Sequence, residues 1–306
     1  MMSIPESERF ERKLGTKSFL VTMEVNPPKG TDLSEILKAT EGVRGLVDAI
    51  NVTDGSGAIM RACALAVAKM ILEAGIDPIF QMTCRDRNRL ALQADLLGAA
   101  VLGIRNLLLL TGDDPKAGDH PDAKPVFDIN SATLMQVARG LTQGKDMAGK
   151  DLAGSPRFCI GAAADPGAKD LEVEMQKFKA KLDGGAQFFQ TQAVFNAEGF
   201  GAFMSRAKAL KMPVLAGILL VKSAKMARYM NEHVWGIHVP EELIARFEQA
   251  SDKRAECVAV TVGLIRAVRE AGADGIHLYP LGWEDLVPQI LREAGMGERS
   301  TVKARA

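Results

Sequence analysis

The sequence predicts an α/β protein built as one closed barrel of parallel strands. Short apolar runs alternate eight times with longer segments in which apolar residues recur at three- and four-residue steps. Strands buried on both faces of a parallel sheet read as such continuous runs, and each parallel pair needs a crossover, usually a helix. Eight such units in about 260 residues suit a closed (β/α)8 (TIM) barrel better than an open sheet.

Each predicted strand is a β-rich apolar run. In chain order the runs are "FLVTMEVNPP" from Phe19, "AINVTDGSG" from Ala49, "PIFQMTC" from Pro78, "NLLLLTGDDP" from Asn106, "FCIGAAADP" from Phe158, "FFQTQAVF" from Phe188, "PVLAGILLV" from Pro213 and "GIHLYPLG" from Gly275. Several of the helical segments between them end in a glycine just before the next strand, which is a helix stop. These glycines are Gly75, Gly103, Gly185 and Gly272.

The βα units repeat about every 30 residues, with two exceptions that indicate insertions. Residues 116–155 after strand 4 are rich in Gly, Asp and Lys, and we expect a mobile loop at the active site. Residues 223–247 after strand 7 predict an extra helix pair. No linker interrupts the pattern, so we expect residues 1–306 to form a single catalytic domain.

The composition narrows the function classes. Lys plus Arg and Asp plus Glu number 38 each, so no overall basic field favours nucleic acid or an anionic membrane as a partner. The four cysteines are widely spaced and form no CxxC pair, which argues against a metal site and a disulfide scaffold. The polar N-terminus and the absence of a long apolar run predict a cytoplasmic protein.

In barrels of this type the chemistry lies at the C-terminal ends of the strands. The polar residues there are Glu24, Asn26, Thr53, Asp54, Gln81, Thr83, Thr111, Asp113, Asp165, Gln190, Gln192, His277 and Tyr279. Glu24 stands out because it interrupts an apolar run, and burial raises the pKa of a carboxyl toward neutrality, the state that a general acid needs. The alternative is a salt bridge to a barrel-lining Lys or Arg.

Other polar residues have competing interpretations. Asp113 follows a glycine and could point over the barrel mouth, or it could cap a helix or form an Asx turn. Residues 52–61 resemble a glycine-rich phosphate cradle or an ordinary turn. His277 is either a core histidine or a functional one. Lys177 and Lys181 lie four residues apart on one helix face, where they could meet a phosphate or solvent.

The ordered motifs resemble the methylenetetrahydrofolate reductase family over nearly the whole chain. They are Glu24 before Pro-Pro-Lys, "NVTDGSG", "QMTC", "LLLLTGDDP", "TQAVF" and "PVLAGILLV". The variant "EVNPPKG" resembles the short bacterial form, which is the catalytic barrel without a regulatory domain. The resemblance implies an FAD-dependent (β/α)8 barrel that reduces 5,10-methylenetetrahydrofolate to 5-methyltetrahydrofolate in one-carbon metabolism and methionine biosynthesis.

The resemblance also implies roles for residues. Glu24 matches the general acid that protonates N10 of the folate and opens the imidazolidine ring to an iminium, which accepts hydride from N5 of the reduced flavin. Asp113 matches a catalytic aspartate that lies by the flavin and holds the pterin, and Gln192 and Tyr279 match folate-contact positions. Flavin-contact positions are matched by Thr53, Thr111, Gly112 and Lys181. Glu174 and Lys177 fall where the family makes polar flavin contacts with other side chains.

The sequence departs from the family where several flavin and nicotinamide contacts occur. Many members have an aromatic residue at the position of Val25 or Asn26, a histidine at that of Gln81 and an arginine at that of Thr111, and a Tyr-Pro-Glu-x-His segment at 162–169. The electron donor is therefore either NAD(P)H or an electron-transfer partner subunit. A homo-oligomer is expected from the habit of the family and the apolar insertion after strand 7.

The sequence has two alternative interpretations. One is a non-redox barrel that binds a folate or pterin as a subunit of a methyl-transfer complex. The other is an aldolase-like lyase with a Schiff-base lysine, which is disfavoured because no lysine lies within the eight strand runs.

Overall fold

The computed structural model describes residues 4–16, 18–234 and 236–297. Eight parallel strands form a closed barrel in sequence order, and β8 pairs with β1 to complete it. The strands are β1 (Leu20–Val25), β2 (Ala49–Val52), β3 (Pro78–Thr83), β4 (Asn106–Leu110), β5 (Cys159–Ala164), β6 (Phe188–Ala193), β7 (Val214–Leu219) and β8 (Gly275–Tyr279). The predicted (β/α)8 barrel and all eight predicted strands are confirmed.

Helices follow the strands and surround the barrel. The α-helices are α1 (Phe10–Lys13), α2 (Ser34–Gly42), α3 (Ala64–Glu73), α4 (Arg89–Val101), α5 (Ser131–Thr142), α6 (Leu171–Asp183), α7 (Ala197–Ala207), α8 (Ala224–His233), α9 (Glu241–Gln249), α10 (Lys253–Glu270) and α11 (Val287–Glu293). Single 3-10 turns occupy Glu6–Glu8, Ser56–Ala58, Pro115–Ala117, Lys208–Leu210 and Glu284–Leu286. Within the described ranges, no helix is both long and apolar enough for a membrane span.

Local sequence explains where many helices begin and end. Six helices start after a capping side chain. This side chain accepts hydrogen bonds from backbone N–H groups of the first turn, which have no acceptor within the helix. These caps are Asn88, Asn130, Asp170, Asn196, Ser223 and Asp252. The four predicted stop glycines have φ between 84° and 115°, a left-handed conformation that glycine adopts without steric cost.

The two insertions have different outcomes. The predicted helix pair after strand 7 is confirmed as α8 and α9, with residue 235 between them outside the described part of the chain. The interpretation of 116–155 as one loop is wrong in part, because it contains α5, which packs against β4 and β5 as the crossover helix of that unit. The extra residues lie before and after this helix.

The N-terminal segment closes one end of the barrel. Phe10 of α1 is fully buried among the first residues of the strands and meets the ring of Phe188 edge to face, with centroids 5.1 Å apart. Asp77 holds the segment in place, since its Oδ2 accepts from the backbone N–H of Phe10 and its Oδ1 from Arg9 Nη1, both at 2.8 Å. The opposite end, where the strands finish, carries the candidate site.

Phe10→Ala should lower the free energy of unfolding by about 3 kcal/mol, because it leaves a cavity beneath the barrel. Urea denaturation followed by circular dichroism would measure the change. The matched control is Leu90→Ala, in which the side chain is 72% exposed and its removal should leave the midpoint nearly unchanged. Equal midpoints for the two variants would contradict a packed role for Phe10.

Candidate active site

Four polar side chains form a hydrogen-bonded layer inside the barrel. Asn51 Nδ2 donates to Gln190 Oε1 at 2.7 Å, and Gln190 Nε2 donates to Thr22 Oγ1 at 3.0 Å. Thr22 Oγ1 lies 2.9 Å from Nδ1 of His277. All four residues are buried, so these contacts supply the partners that buried polar groups require.

Glu24 lies one step above this layer, at the mouth. Its side chain is 11% exposed, and its Oε2 accepts from Gln81 Nε2 at 3.0 Å and lies 3.6 Å from His277 Nε2. Among the residues that the structure describes, neither Lys nor Arg lies within salt-bridge distance of Glu24, so the alternative ion pair does not form. The site therefore holds a nearly enclosed carboxyl beside an amide donor and an imidazole ring, an arrangement that can deliver a proton to a ligand above it.

Tyr279 and Gln192, the predicted folate contacts, lie on neighbouring parts of the mouth. Tyr279 Oη donates to the backbone oxygen of Thr191 at 2.8 Å. Burial raises the pKa of Tyr279, and the Glu24 carboxylate adds to the shift, so the phenol stays a neutral donor. A Cβ at Gly236 would lie 3.7 Å from Gln192 Cγ, which places the insertion after β7 against this side of the mouth.

Asp113 lies at the exposed rim beyond β4. Its Oδ2 accepts from the backbone N–H of Gly57 at 2.9 Å and so joins the loop after β4 to the glycine-rich loop after β2. The capping role considered for Asp113 falls instead to Asp114, whose Oδ1 accepts from Lys116 N at 2.9 Å in the turn Pro115–Ala117. Asp113 therefore joins two loops at the C-terminal end of the barrel, with one carboxylate oxygen bonded to the protein.

An ion pair fixes the loops beside Asp113. Both carboxylate oxygens of Asp54 meet Arg87, at 2.7 Å and 3.2 Å, and Oδ2 also accepts from the backbone N–H of Thr83 at 2.9 Å. Burial would lower the pKa of Arg87, but the Asp54 carboxylate outweighs it and the net pKa shift is upward. The backbone of Gly112 packs closely against Thr83, because a Cβ at Gly112 would lie only 2.9 Å from Thr83 Cβ. The predicted contact Thr53 donates to Asn26 Oδ1 at 2.9 Å.

Charged residues gather at the end of β5. Glu174 Oε1 accepts from the backbone N–H of Asp165 at 2.9 Å, and Lys181 Nζ donates to the backbone oxygen of Ala163 at 2.6 Å. Lys177 is exposed, with its Nζ 3.9 Å from Glu174 Oε2. Burial raises the pKa of Asp165 and lowers that of Lys181. Three predicted flavin contacts thus lie together on α6.

Thr111 borders a cavity of about 400 Å³ between β4 and the N-terminus of α5. Its hydroxyl accepts from the backbone N–H of Ser131 at 3.3 Å. The other lining residues are Phe127, Asp128, Ile129, Asn130 and Thr133. The sequence analysis did not identify them, because they fall in the segment interpreted as a loop. A helix N-terminus favours an anionic group such as a phosphate.

Sequence reasoning also missed two members of the buried layer, Thr22 and Asn51. A usable indication was present, because side chains two residues apart on a strand share a face. Thr22 stands two residues before Glu24, and Asn51 two before Thr53.

The fold defines the class of protein as a closed (β/α)8 barrel. A carboxyl group lies among hydrogen-bonding groups at the end of the barrel where such proteins bind their ligands. A family model described as methylenetetrahydrofolate reductase matches residues 9–295. The chain belongs to this family, and the resemblance drawn from the motifs is confirmed.

Individual relatives are distant. Methylenetetrahydrofolate reductase 1 of Schizosaccharomyces pombe is 23% identical over 81% of this chain, which spans only 40% of that protein. The 5,10-methylenetetrahydrofolate reductase of Pectobacterium carotovorum is 23% identical over 90% of both chains. A Clostridium thermocellum structure, described as binding two copies of 5-methyl-5,6,7,8-tetrahydrofolic acid, covers 86% of this chain and 88% of its own, with a TM-score of 0.56 and 16% identity. This structural likeness shows a shared fold.

Proposed function

We propose that this chain reduces 5,10-methylenetetrahydrofolate to 5-methyltetrahydrofolate with bound FAD, as a single catalytic domain in one-carbon metabolism. The observation that carries the proposal is Glu24, a nearly enclosed carboxyl at the barrel mouth of a chain in this family. A ring opening at N10 needs one proton from the protein, and Glu24 is placed where such barrels bind their substrates.

The residues present fit an anionic dinucleotide. The cavity of about 400 Å³ beside Thr111 offers room for part of the cofactor, and its lining carboxylate, Asp128, is paired with Arg89. Positive charge for a phosphate comes from Lys177 and Lys181 of α6. Thr53, Thr111, Gly112, Asp113, Glu174, Lys177 and Lys181 are the residues that would hold the cofactor. The bound flavin would supply the hydride.

In this mechanism the protein binds, orients and protonates the substrate. Asp113 beyond β4 and Gln192 on β6 would hold the pterin, and Tyr279 on β8 would support the folate. Glu24 gives its proton to N10, the bond from N10 to the bridging carbon breaks with its electrons on N10, and an iminium forms at N5. The insertion against Gln192 helps to exclude water from that side.

A second candidate is a non-redox subunit that binds folate in a methyl-transfer complex. It is favoured by Thr111, whose hydroxyl contacts Ser131 where many relatives have a flavin-binding arginine. For the leading function, we propose that electrons come from NAD(P)H or an electron-transfer partner subunit, and that the protein is a cytoplasmic homo-oligomer.

An absorption spectrum of the purified protein, with and without added FAD, tests the proposal. We expect the bands of oxidised flavin at about 370 and 450 nm. They should bleach on anaerobic photoreduction and return when methylenetetrahydrofolate is added. NADH and NADPH would then be tried as reductants in place of light. A colourless protein that takes up no FAD but still binds folate would replace this proposal with the second candidate.

A further inference from the structure

The two oxygens of Glu24 have unequal surroundings. Oε2 accepts from Gln81 Nε2 at 3.0 Å and lies 3.6 Å from His277 Nε2. Within the described ranges, Oε1 has no hydrogen-bond partner. His277 Nε2 is likewise buried without a hydrogen bond, although its ring is only 1% exposed and points at the carboxyl. Oε2 therefore has one bonded donor and a ring nitrogen 3.6 Å away, whereas Oε1 has neither.

The buried layer determines which nitrogen of His277 carries the hydrogen. The bond from Asn51 Nδ2 to Gln190 Oε1 turns Gln190 Nε2 toward Thr22, so the threonine hydroxyl accepts and has its own proton to donate. His277 Nδ1 faces the Thr22 hydroxyl at 2.9 Å and Gln190 Nε2 at 3.3 Å, and an amide nitrogen can only donate. Nδ1 is thus the acceptor, and the hydrogen of the ring lies on Nε2, facing Glu24.

We infer that His277 is a positioning residue for Glu24, and that with Gln81 it directs the acidic proton to Oε1. The Gln81 N–H bonded to Oε2 and the His277 N–H 3.6 Å from it favour that oxygen as an acceptor, so the proton of the acid resides on Oε1, the oxygen that faces the substrate. When this proton passes to N10, the same two groups stabilise the carboxylate that remains. The inference rests on the proposed function, in which Glu24 is the general acid.

The surroundings make the effect measurable. Among the described residues, the titratable groups facing Glu24 are His277 and Tyr279, both on β8. The next two strands of the barrel after β1 are β2 and β3, and they contribute the uncharged amides of Asn51 and Gln81. Loss of the His277 donor should therefore move the alkaline limb of the pH–rate profile to higher pH, because the ionised form of Glu24 loses a stabilising contact.

The kinetic test compares three variants. In His277→Asn the side-chain amide reaches the position that Nδ1 occupies in the parent protein, but no donor reaches the position of Nε2. This variant should slow flavin reoxidation by methylenetetrahydrofolate about tenfold to hundredfold at unchanged KM. His277→Gln restores a donor near Nε2 and should recover most of the rate and the original alkaline limb. His233→Asn, the same change at an exposed histidine of α8, should alter neither. Flavin content and photoreduction should be normal in all three.

A measurement on the unmutated protein is independent of activity. The chain has four histidines, so 15N-histidine labelling and NMR can assign the His277 tautomer, and we expect the hydrogen on Nε2. A hydrogen on Nδ1, or an unchanged rate and pH profile in His277→Asn, would overturn the inference. If Glu24→Gln loses activity while His277→Asn does not, the inference about His277 is wrong and the proposed function of Glu24 stands. Normal turnover by Glu24→Gln would show that Glu24 is not the general acid, and the inference about His277 would then be wrong as well.

Discussion

The Glu24→Gln variant should keep its fold and its flavin but reduce methylenetetrahydrofolate about 10²- to 10⁴-fold more slowly than the parent protein. The amide has nearly the same shape, and its oxygen can still accept from Gln81 Nε2. It has no acidic proton to give to N10, and general acid catalysis contributes about this much to the rate of such steps.

Stopped-flow absorbance at about 450 nm would follow reoxidation of the photoreduced flavin by the folate. Photoreduction itself needs no proton from Glu24 and serves as the internal control. Glu35→Gln makes the same change at an exposed position of α2 and should behave as the parent protein. Reoxidation of Glu24→Gln at the parental rate would show that another group protonates the folate.

The Asp54→Ala variant should lose about 3 kcal/mol of the free energy of unfolding. It removes the carboxylate that meets Arg87 at 2.7 Å, so that Arg87 keeps only its ion pair with Asp95 at 2.8 Å. The buried N–H of Thr83 loses its acceptor as well. Because Asp54 joins the loop after β2, which carries Thr53, to Thr83 and Arg87 after β3, flavin retention should fall as well.

Urea denaturation would measure the stability, and the flavin-to-protein absorbance ratio would measure retention. The control is Glu41→Ala, which breaks the solvent-exposed pair with Arg44 on the surface and should leave the urea midpoint unchanged. Equal changes in the urea midpoint for the two variants would mean that the Asp54–Arg87 pair stabilises the fold no more than an exposed surface pair.

Much of the fold could be predicted because the relevant information is local. Eight apolar runs and four stop glycines are each readable within about ten residues, and all were confirmed. The helix α5 was missed for a local reason too. Its apolar residues, such as Leu134 and Leu141, lie between Gly-, Asp- and Lys-rich flanks whose composition resembles a loop.

The site could be predicted in part. Reading the strand ends placed Glu24, Asp113 and Tyr279 at the same end of the barrel, because all parallel strands finish there. The roles assigned to them remain predictions. The partner of Asp113 could not be found in this way, since Gly57 is 56 residues away and meets it only because the loops after β2 and β4 come together across β3.

The order of the motifs was sufficient to establish the barrel and the family, since both depend on patterns that survive along the chain. The surroundings of Glu24 depend instead on closure of the barrel. Thr22 of β1 aligns with His277 of β8, 255 residues later, only because the last strand returns to pair with the first. Register between distant strands then brings His277 and Gln81 to the same oxygen of Glu24, and no local preference of the chain encodes that meeting.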